Sequence, residues 1–332
     1  MKKVLILGAT GLVGQEVVKI LEQRNFPVAD LYLFASEKSE GTTIKFRDRE
    51  YEVSADYETY IGEVDIVFGC LDETLSREIV PKFQKNSIVI DNSPAFRLDP
   101  EVPLIVPEIN PHKIKEHKGI IANPNCSTIQ MLVPLYPLHK KAKIRRIFVA
   151  TYQSVSGYGR DAVEELRLEL EYLAVGQEIP KFEDSVFPHP IGANIIPQIG
   201  RFNEQGYTSE EMKMINETRK ILDEPNILVS PTCVRIPVFY GHSEAVSVEF
   251  ESSISVAEAK EILKSAPGVV LCDKDEEYPM PIEVAGKDEV FVGRIRKDFA
   301  FENGLAMWIV ADNIRKGAAL NAVQIAERLL RE

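Results

Sequence analysis

Three observations predict an α/β fold in two parts. An apolar run, Val4–Leu7, ends in a glycine-rich turn and leads into helical spacing. Strand-like and helix-like runs then alternate as far as Ile90, the mark of a doubly wound parallel sheet. Beyond Lys143 the strand candidates instead alternate apolar and polar residues, as in a mainly antiparallel sheet with one face covered. At ~100–200 residues per domain, a chain of 332 residues makes two domains, each able to bury a core.

In the first part, Leu12 to Arg24 carries Val13, Val17, Ile20 and Leu21 at helical spacing. Leu31–Phe34, Val64–Phe68 and Ile88–Ile90 are strand candidates. Leu75–Phe83 is helical in part, with Pro81 interrupting it. Five prolines between Pro94 and Pro111 mark the edge of this unit. In the second part, Lys143–Ser154 predicts a strand, and Asp161–Val175 a helix with Val163, Leu166, Leu170 and Leu173 on one face. Further strands are expected in His242–Glu251, Glu289–Arg296 and Leu305–Ala311. Gly317–Arg331 predicts an amphipathic helix.

The balance of 39 Lys+Arg against 51 Asp+Glu gives a net charge of −12, which argues against nucleic-acid partners. Hydrophobic residues at 45% and charged residues at 27% exclude disordered and fibrous classes. Cys70, Cys126, Cys233 and Cys272 form no CxxC pair and no Cys/His cluster, so neither a disulfide framework nor a metal site is expected. No run approaches the ~18 apolar residues of a membrane span, and Val4–Leu7 is too short for a signal peptide. A soluble cytoplasmic enzyme is the expectation.

Gly8-Ala9-Thr10-Gly11-Leu12-Val13-Gly14 joins the first strand to the first helix. Glycines there let backbone amides approach a pyrophosphate, and a helix N-terminus favours the negative charge. An NAD-selective site usually places an acid at the end of the second strand. Here Ser36, Lys38 and Ser39 stand there instead and could hold a 2′-phosphate, which favours NADP(H). Glu37 or Glu40 turned inward would reverse that preference, and a plain solvated loop is the alternative.

Asn123-Pro124-Asn125-Cys126-Ser127-Thr128 precedes an apolar run, so Cys126 is expected at a helix N-terminus, where a thiolate is favoured. Pro134 and Pro137 predict that this helix is short or kinked. A lone cysteine can equally be a small buried hydrophobe. Arg235 and His242 lie seven residues apart in Val229–Ser243. Arginine suits bidentate capture of a carboxylate, and histidine is a natural proton partner for a cysteine. An ion-pair arginine and a hydrogen-bonded loop histidine are the plainer alternatives.

These residues resemble the aspartate-β-semialdehyde dehydrogenase family. Val229, Ser230, Cys233, Arg235, Ile236, Gly241, His242 and Ser243 satisfy its signature, Pro124–Thr128 is similar to its nucleophile motif, and Gly8–Gly14 to its opening turn. The resemblance implies a Rossmann-type NADP-binding domain at residues 1–125 with the C-terminal segment 313–332. It implies a second α+β catalytic and dimerisation domain at 126–312, on a mainly antiparallel sheet, in a homodimer. It makes Cys126 the nucleophile, His242 the acid/base and Gln153 a substrate-positioning group. Arg97, Asn125, Glu210, Lys213 and Arg235 become substrate-binding residues for carboxylate, amino group and phosphate. Ser156, Gly157 and Asn313 join Gly8, Thr10, Gly11, Leu12, Val13, Gly14, Ser36, Lys38 and Ser39 at the cofactor. Cys70-Leu71 departs from the smaller residues expected after the third strand, and Thr208-Ser209-Glu210-Glu211 also reads as a helix capping box.

The implied reaction is NADPH-dependent reduction of L-aspartyl-4-phosphate to aspartate semialdehyde and phosphate through a thioester on Cys126, feeding lysine, threonine and methionine synthesis. A related acyl-phosphate reductase acting on N-acetylglutamyl phosphate, or a non-catalytic NADP-binding paralogue, is the alternative.

Overall fold

The N-terminal alternation folds as a seven-stranded sheet. Its strands are β1 (Lys2–Leu7), β2 (Val28–Phe34), β3 (Thr43–Phe46), β4 (Arg49–Ser54), β5 (Ile66–Gly69), β6 (Ile88–Asp91) and β7 (Ile120–Ala122). They lie in the order β3-β4-β2-β1-β5-β6-β7, all parallel except the β3–β4 hairpin at one edge. The computed structural model describes residues 1–274 and 276–331. It divides into two compact units, Met1–Asn125 with the segment from Gly317 onward, and Cys126–Lys316.

In the first unit, helix α1 (Leu12–Gln23) and the last helix (Leu320–Leu329) bury Val17, Ile20, Leu21, Ala322, Val323 and Ala326 in one core with Val4, Ile6 and Leu33. The last helix enters through a π-helical turn, Arg315–Ala319, and buries Leu320 and Ile325 as well. Helix α2 (Glu73–Phe83) runs on through Pro81, contrary to expectation. The Asp72 side chain caps it by accepting from the Leu75 amide. Pro81 sits in the last turn, so the one helical donor it removes is that for the Arg77 carbonyl.

The second unit is built on a six-stranded sheet of β8 (Ile144–Gln153), β9 (Leu228–Arg235), β10 (His242–Phe250), β11 (Val269–Leu271), β12 (Val290–Lys297) and β13 (Gly304–Ala311). The order is β11-β12-β13-β10-β8-β9, with three antiparallel pairs at its centre and parallel pairs at both edges. Helices α3 (Cys126–Ala142), α5 (Ser209–Leu222) and α6 (Val256–Lys264) pack on it. Far from being short, α3 is 17 residues long and continues through Pro134 and Pro137, because packing on all sides holds it where backbone bonds are missing. Helix α4 (Arg160–Ala174) buries Val163 and Leu166, but Leu173 is exposed. Glu165 and Glu169 take the buried positions instead, accepting from the backbone amides of Val186, Ile191 and Gly192.

The glycine turn shows why its residues are small. Gly8 has φ +83°, and a Cβ there would fall 2.3 Å from the Cys70 carbonyl oxygen. A Cβ on Gly14 would fall 2.2 Å from the Gly8 oxygen, whereas at Gly11 the nearest atom is 3.4 Å away. Gly14→Ala is therefore expected to cost about 1–3 kcal/mol through overpacking, and Gly11→Ala less than about 1 kcal/mol. Denaturant unfolding of the two variants tests this, and equal losses would contradict it.

Candidate active site

Strand β8 lies between β9, which runs parallel to it, and β10, which runs antiparallel. The register opposes Gln153 to Arg235 and Ser243 to Tyr152, so His242, Gln153 and Arg235 form one row across three strands. All three are buried. The first turn of α3 meets this row. Gln153 Nε2 donates to Ser127 Oγ at 2.9 Å, and Cys126 is close enough to raise the proton affinity of Arg235 electrostatically. Cys126 is the first residue of the helix and is partly exposed, with Asn125 buried just before it.

The histidine is held in one orientation. His242 Nδ1 accepts from the Ser154 backbone amide at 3.0 Å, so the neutral ring carries its proton on Nε2. Burial, then the Arg235 charge, lowers its pKa to about 3, with Glu210 opposing. Nε2 has no hydrogen-bond partner among the described residues. A Cβ on Gly157 would lie 3.2 Å from it and 2.9 Å from Arg235 Nη1, so the missing side chain leaves space over both groups. Asn313 braces the surroundings, its Oδ1 accepting from Ser154 Oγ, Ser156 Oγ and the Gly241 amide at 3.0–3.2 Å.

Arg235 donates to the Ser154 carbonyl at 2.7 Å. Burial lowers its pKa, while Glu210 and Cys126 oppose the change. The capping box exists, and it engages Glu211. Glu211 accepts from the Thr208 amide at 2.6 Å, which closes the cap, and from the Cys233 amide at 3.0 Å, which fastens α5 to β9. Glu210 instead meets Gln153 Nε2 at 3.3 Å and Lys213 Nζ at 3.0 Å.

Cys126, Gln153, Ser156, Gly157, Glu210, Lys213, Arg235, His242 and Asn313 thus all fall in the second unit. The first unit holds a separate group. Thr10 Oγ1 lies 3.3 Å from Ser39 Oγ. Ser36, Lys38, Glu37 and Glu40 are exposed, so neither acid turns inward. The amides of Leu12, Val13 and Gly14 are first-turn donors with no intrahelical acceptor. Cys70 is packed below Gly8 and its thiol pKa is raised by burial. Arg97 is buried and donates to the Asn92 carbonyl at 2.7 Å, near Asp91, whose carboxyl burial raises to about 6.

Two contributors were not singled out from sequence: Ser127, which accepts from Gln153, and Ser154, which orients His242. Each adjoins a residue that was, the only signal available. Among the described residues, no group of three or more His, Cys, Asp or Glu could hold a metal ion, and no helix is long and apolar enough to cross a membrane.

Comparison with known proteins agrees over the whole chain. Residues 3–117 match the semialdehyde dehydrogenase NAD binding domain, and residues 135–316 its dimerisation domain. The aspartate-semialdehyde dehydrogenase of Aquifex aeolicus (strain VF5) is 56% identical over 99% of this chain and 98% of its own. The crystal structure of aspartate semialdehyde dehydrogenase II complexed with ASA from Vibrio cholerae superposes with a TM-score of 0.97 at 45% identity, covering 100% and 99% of the two chains. That of the Candida albicans enzyme with NADP gives 0.75 at 26% identity, covering 99% and 98%. The chain belongs to the aspartate-semialdehyde dehydrogenase family.

Proposed function

We propose that the chain reduces L-aspartyl-4-phosphate to L-aspartate 4-semialdehyde and phosphate, reversibly, with NADPH as reductant and Cys126 as nucleophile, in lysine, threonine and methionine biosynthesis. The observation that carries this is the first turn of α3 set against the buried row His242–Gln153–Arg235. The Cys126 thiolate attacks the acyl carbon, forming a C–S bond and expelling phosphate to leave a thioester. A thioester is electrophilic enough to accept hydride, which is what bound NADPH supplies. The resulting thiohemiacetal anion expels the Cys126 thiolate and leaves the aldehyde. The one proton the net reaction consumes departs with phosphate.

At both additions the carbonyl oxygen gains charge, and at both collapses it gives that charge back. It therefore needs donors that hold their protons, and His242 Nε2–H and the amides at the start of α3 are of that kind. This narrows the acid/base expectation for His242 to donation from a neutral ring. Arg235 binds the substrate carboxylate bidentately, Glu210 its amino group, and Lys213 and Arg97 the phosphate. Asn125 and Gln153 position the acyl group. Gly8, Thr10, Gly11 and the first turn of α1 hold the pyrophosphate. Ser36, Lys38 and Ser39 hold the 2′-phosphate, a reading supported by the exposure of Glu37 and Glu40 and by the NADP in the Candida albicans structure. Ser156, Gly157 and Asn313 border the nicotinamide. We assign the dinucleotide to residues 1–125 with the C-terminal helix, and catalysis and dimerisation to the second unit.

The sheet face opposite α3 supports a homodimer. Phe148 is exposed there and stacks on Phe301, and Tyr152 packs on Trp308, both with ring centroids 5.6 Å apart. A cytoplasmic location fits the four free cysteines.

Oxidation of aspartate semialdehyde and of N-acetylglutamate semialdehyde, with phosphate and either NADP or NAD, tests the substrate. Aspartate semialdehyde with NADP is expected to be preferred, because Glu210 meets a free amino group; preference for the acetylated compound would sink the assignment. Cys126→Ser is expected to lower the phosphate-dependent rate at least about a thousandfold, and an unchanged rate would refute the thioester.

For His242, the unfolded chain takes up a proton near ~6.5, the folded one only near about 3. Between those values the unfolded state binds more protons, so this group's contribution makes stability fall as pH falls. Nitrogen-15 spectra are expected to show a neutral, Nε2-protonated ring from pH 8 to ~5, and a ring titrating at its ordinary value would contradict it. In light scattering the chain should weigh two protomers and Phe148→Lys should shift it toward one; a monomeric wild type would exclude the dimer.

A further inference from the structure

One row below His242–Gln153–Arg235 lies a second polar row that the chemistry above does not use. The register opposes Glu244 to Thr151 and Thr151 to Cys233, and all three are fully buried. Among the described residues, neither carboxyl oxygen of Glu244 has a hydrogen bond of good geometry. The side chain of Gln130 on α3 bears on them, and its amide oxygen and nitrogen likewise have no other partner among the described residues. Burial raises the Glu244 pKa well above the ordinary carboxyl value, with the Gln130 side chain opposing.

Helix α3 has an unusual need for such a pair. Every residue from 127 to 135 is buried. A helix buried on all sides has no solvent-facing edge to set its rotation, and one residue of slip turns it by ~100° and advances it ~1.5 Å. Pro134 also removes the helical donor for the Gln130 carbonyl itself, and Pro137 that for Val133. Gln130 follows Cys126 by four residues and shares its face. With Gln130 over the Glu244 row, Cys126 stands over the His242 row one turn earlier. A slip would carry the Gln130 amide off the Glu244 row and leave both groups buried alone, an expensive outcome for buried polar groups.

We propose that Glu244 and Gln130 are positioning residues, a buried carboxyl–amide pair that sets the rotation of α3 on the sheet and so aims Cys126 at the substrate carbon. Specifying register is a recognised use of a buried polar pair. The proposal rests on Cys126 as nucleophile, so its test separates the two.

Gln130→Leu, Glu244→Leu, their double variant and Glu244→Gln are compared with the wild type. Each leucine variant alone is expected to lower the urea midpoint, and the double variant to recover most of it, since no polar group is then left buried alone. The double variant is nevertheless expected to lose at least about tenfold in kcat and in the rate of Cys126 alkylation by iodoacetamide, with KM within about twofold. Glu244→Gln keeps the shape and the polar contact with Gln130 and is expected to retain kcat within about twofold. Full recovery of kcat and alkylation in the double variant would overturn the proposal, as would a Glu244→Gln enzyme as impaired as Glu244→Leu. If alkylation of Cys126 leaves the wild-type enzyme active, the nucleophile assignment fails, while the urea midpoints still report on the pair.

Discussion

Everything at the site depends on β8 lying between a parallel and an antiparallel neighbour. Because β9 runs with β8 and β10 runs against it, the end of β9 and the beginning of β10 meet at the same end of the sheet. The chain from Arg235 to His242 must therefore cross the end of β8, and it does so hydrogen-bonded to it. The Ile236 amide donates to the Gln153 carbonyl, and the amides of Val155 and Ser156 donate to the carbonyls of Val238 and Phe239. Gly241, at φ +89°, ends the crossing and turns the chain into β10. The spacing of the signature is thus the length needed to straddle one strand and put an arginine and a histidine on either side of one glutamine.

The same crossing fixes the protonation of the site. Folding the chain over the end of β8 buries His242 and points the Ser154 amide at Nδ1, which leaves Nε2–H toward the gap at Gly157. Arg235 is buried beside it and keeps its charge company with Glu210 and Cys126. With Lys213, the second unit gathers two cations and the Glu210 carboxylate around the row, while the chain as a whole carries −12. A locally cationic pocket in an acidic protein suits a substrate that brings a carboxylate and a phosphate together.

What could be read in advance was what is local. The first strand, glycine turn and helix are encoded within about twenty residues, and the crowding at Gly8 and Gly14 shows the steric reason. Cys126 at a helix start was equally legible, since Asn, Ser and Thr cluster there. Strand β9 was not, because Pro231 interrupts it. Only the sheet order explains that proline: β9 is an edge strand, where a missing amide leaves no neighbour unpaired. The prolines of α3 misled in the same way, since the packing that tolerates them comes from distant strands. Leu173 misled oppositely, as the loop bonded to Glu165 and Glu169 covers a different face of α4 than apolar spacing suggests.

Two adjacent glutamates show how one helix start can serve both fold and chemistry. Neighbouring residues on a helix point ~100° apart, so Glu210 and Glu211 cannot share a task. Glu211 closes the capping box on Thr208 and takes the amide of Cys233, which ties the first turn of α5 to β9 one residue pair below Arg235. That tie leaves Glu210 directed at Gln153, within reach of the arginine's row. The capping motif and the substrate-facing acid were competing explanations for the same four residues. In the folded chain the row-facing Glu210 immediately precedes the capping Glu211, and the ties of Glu211 determine where Glu210 points.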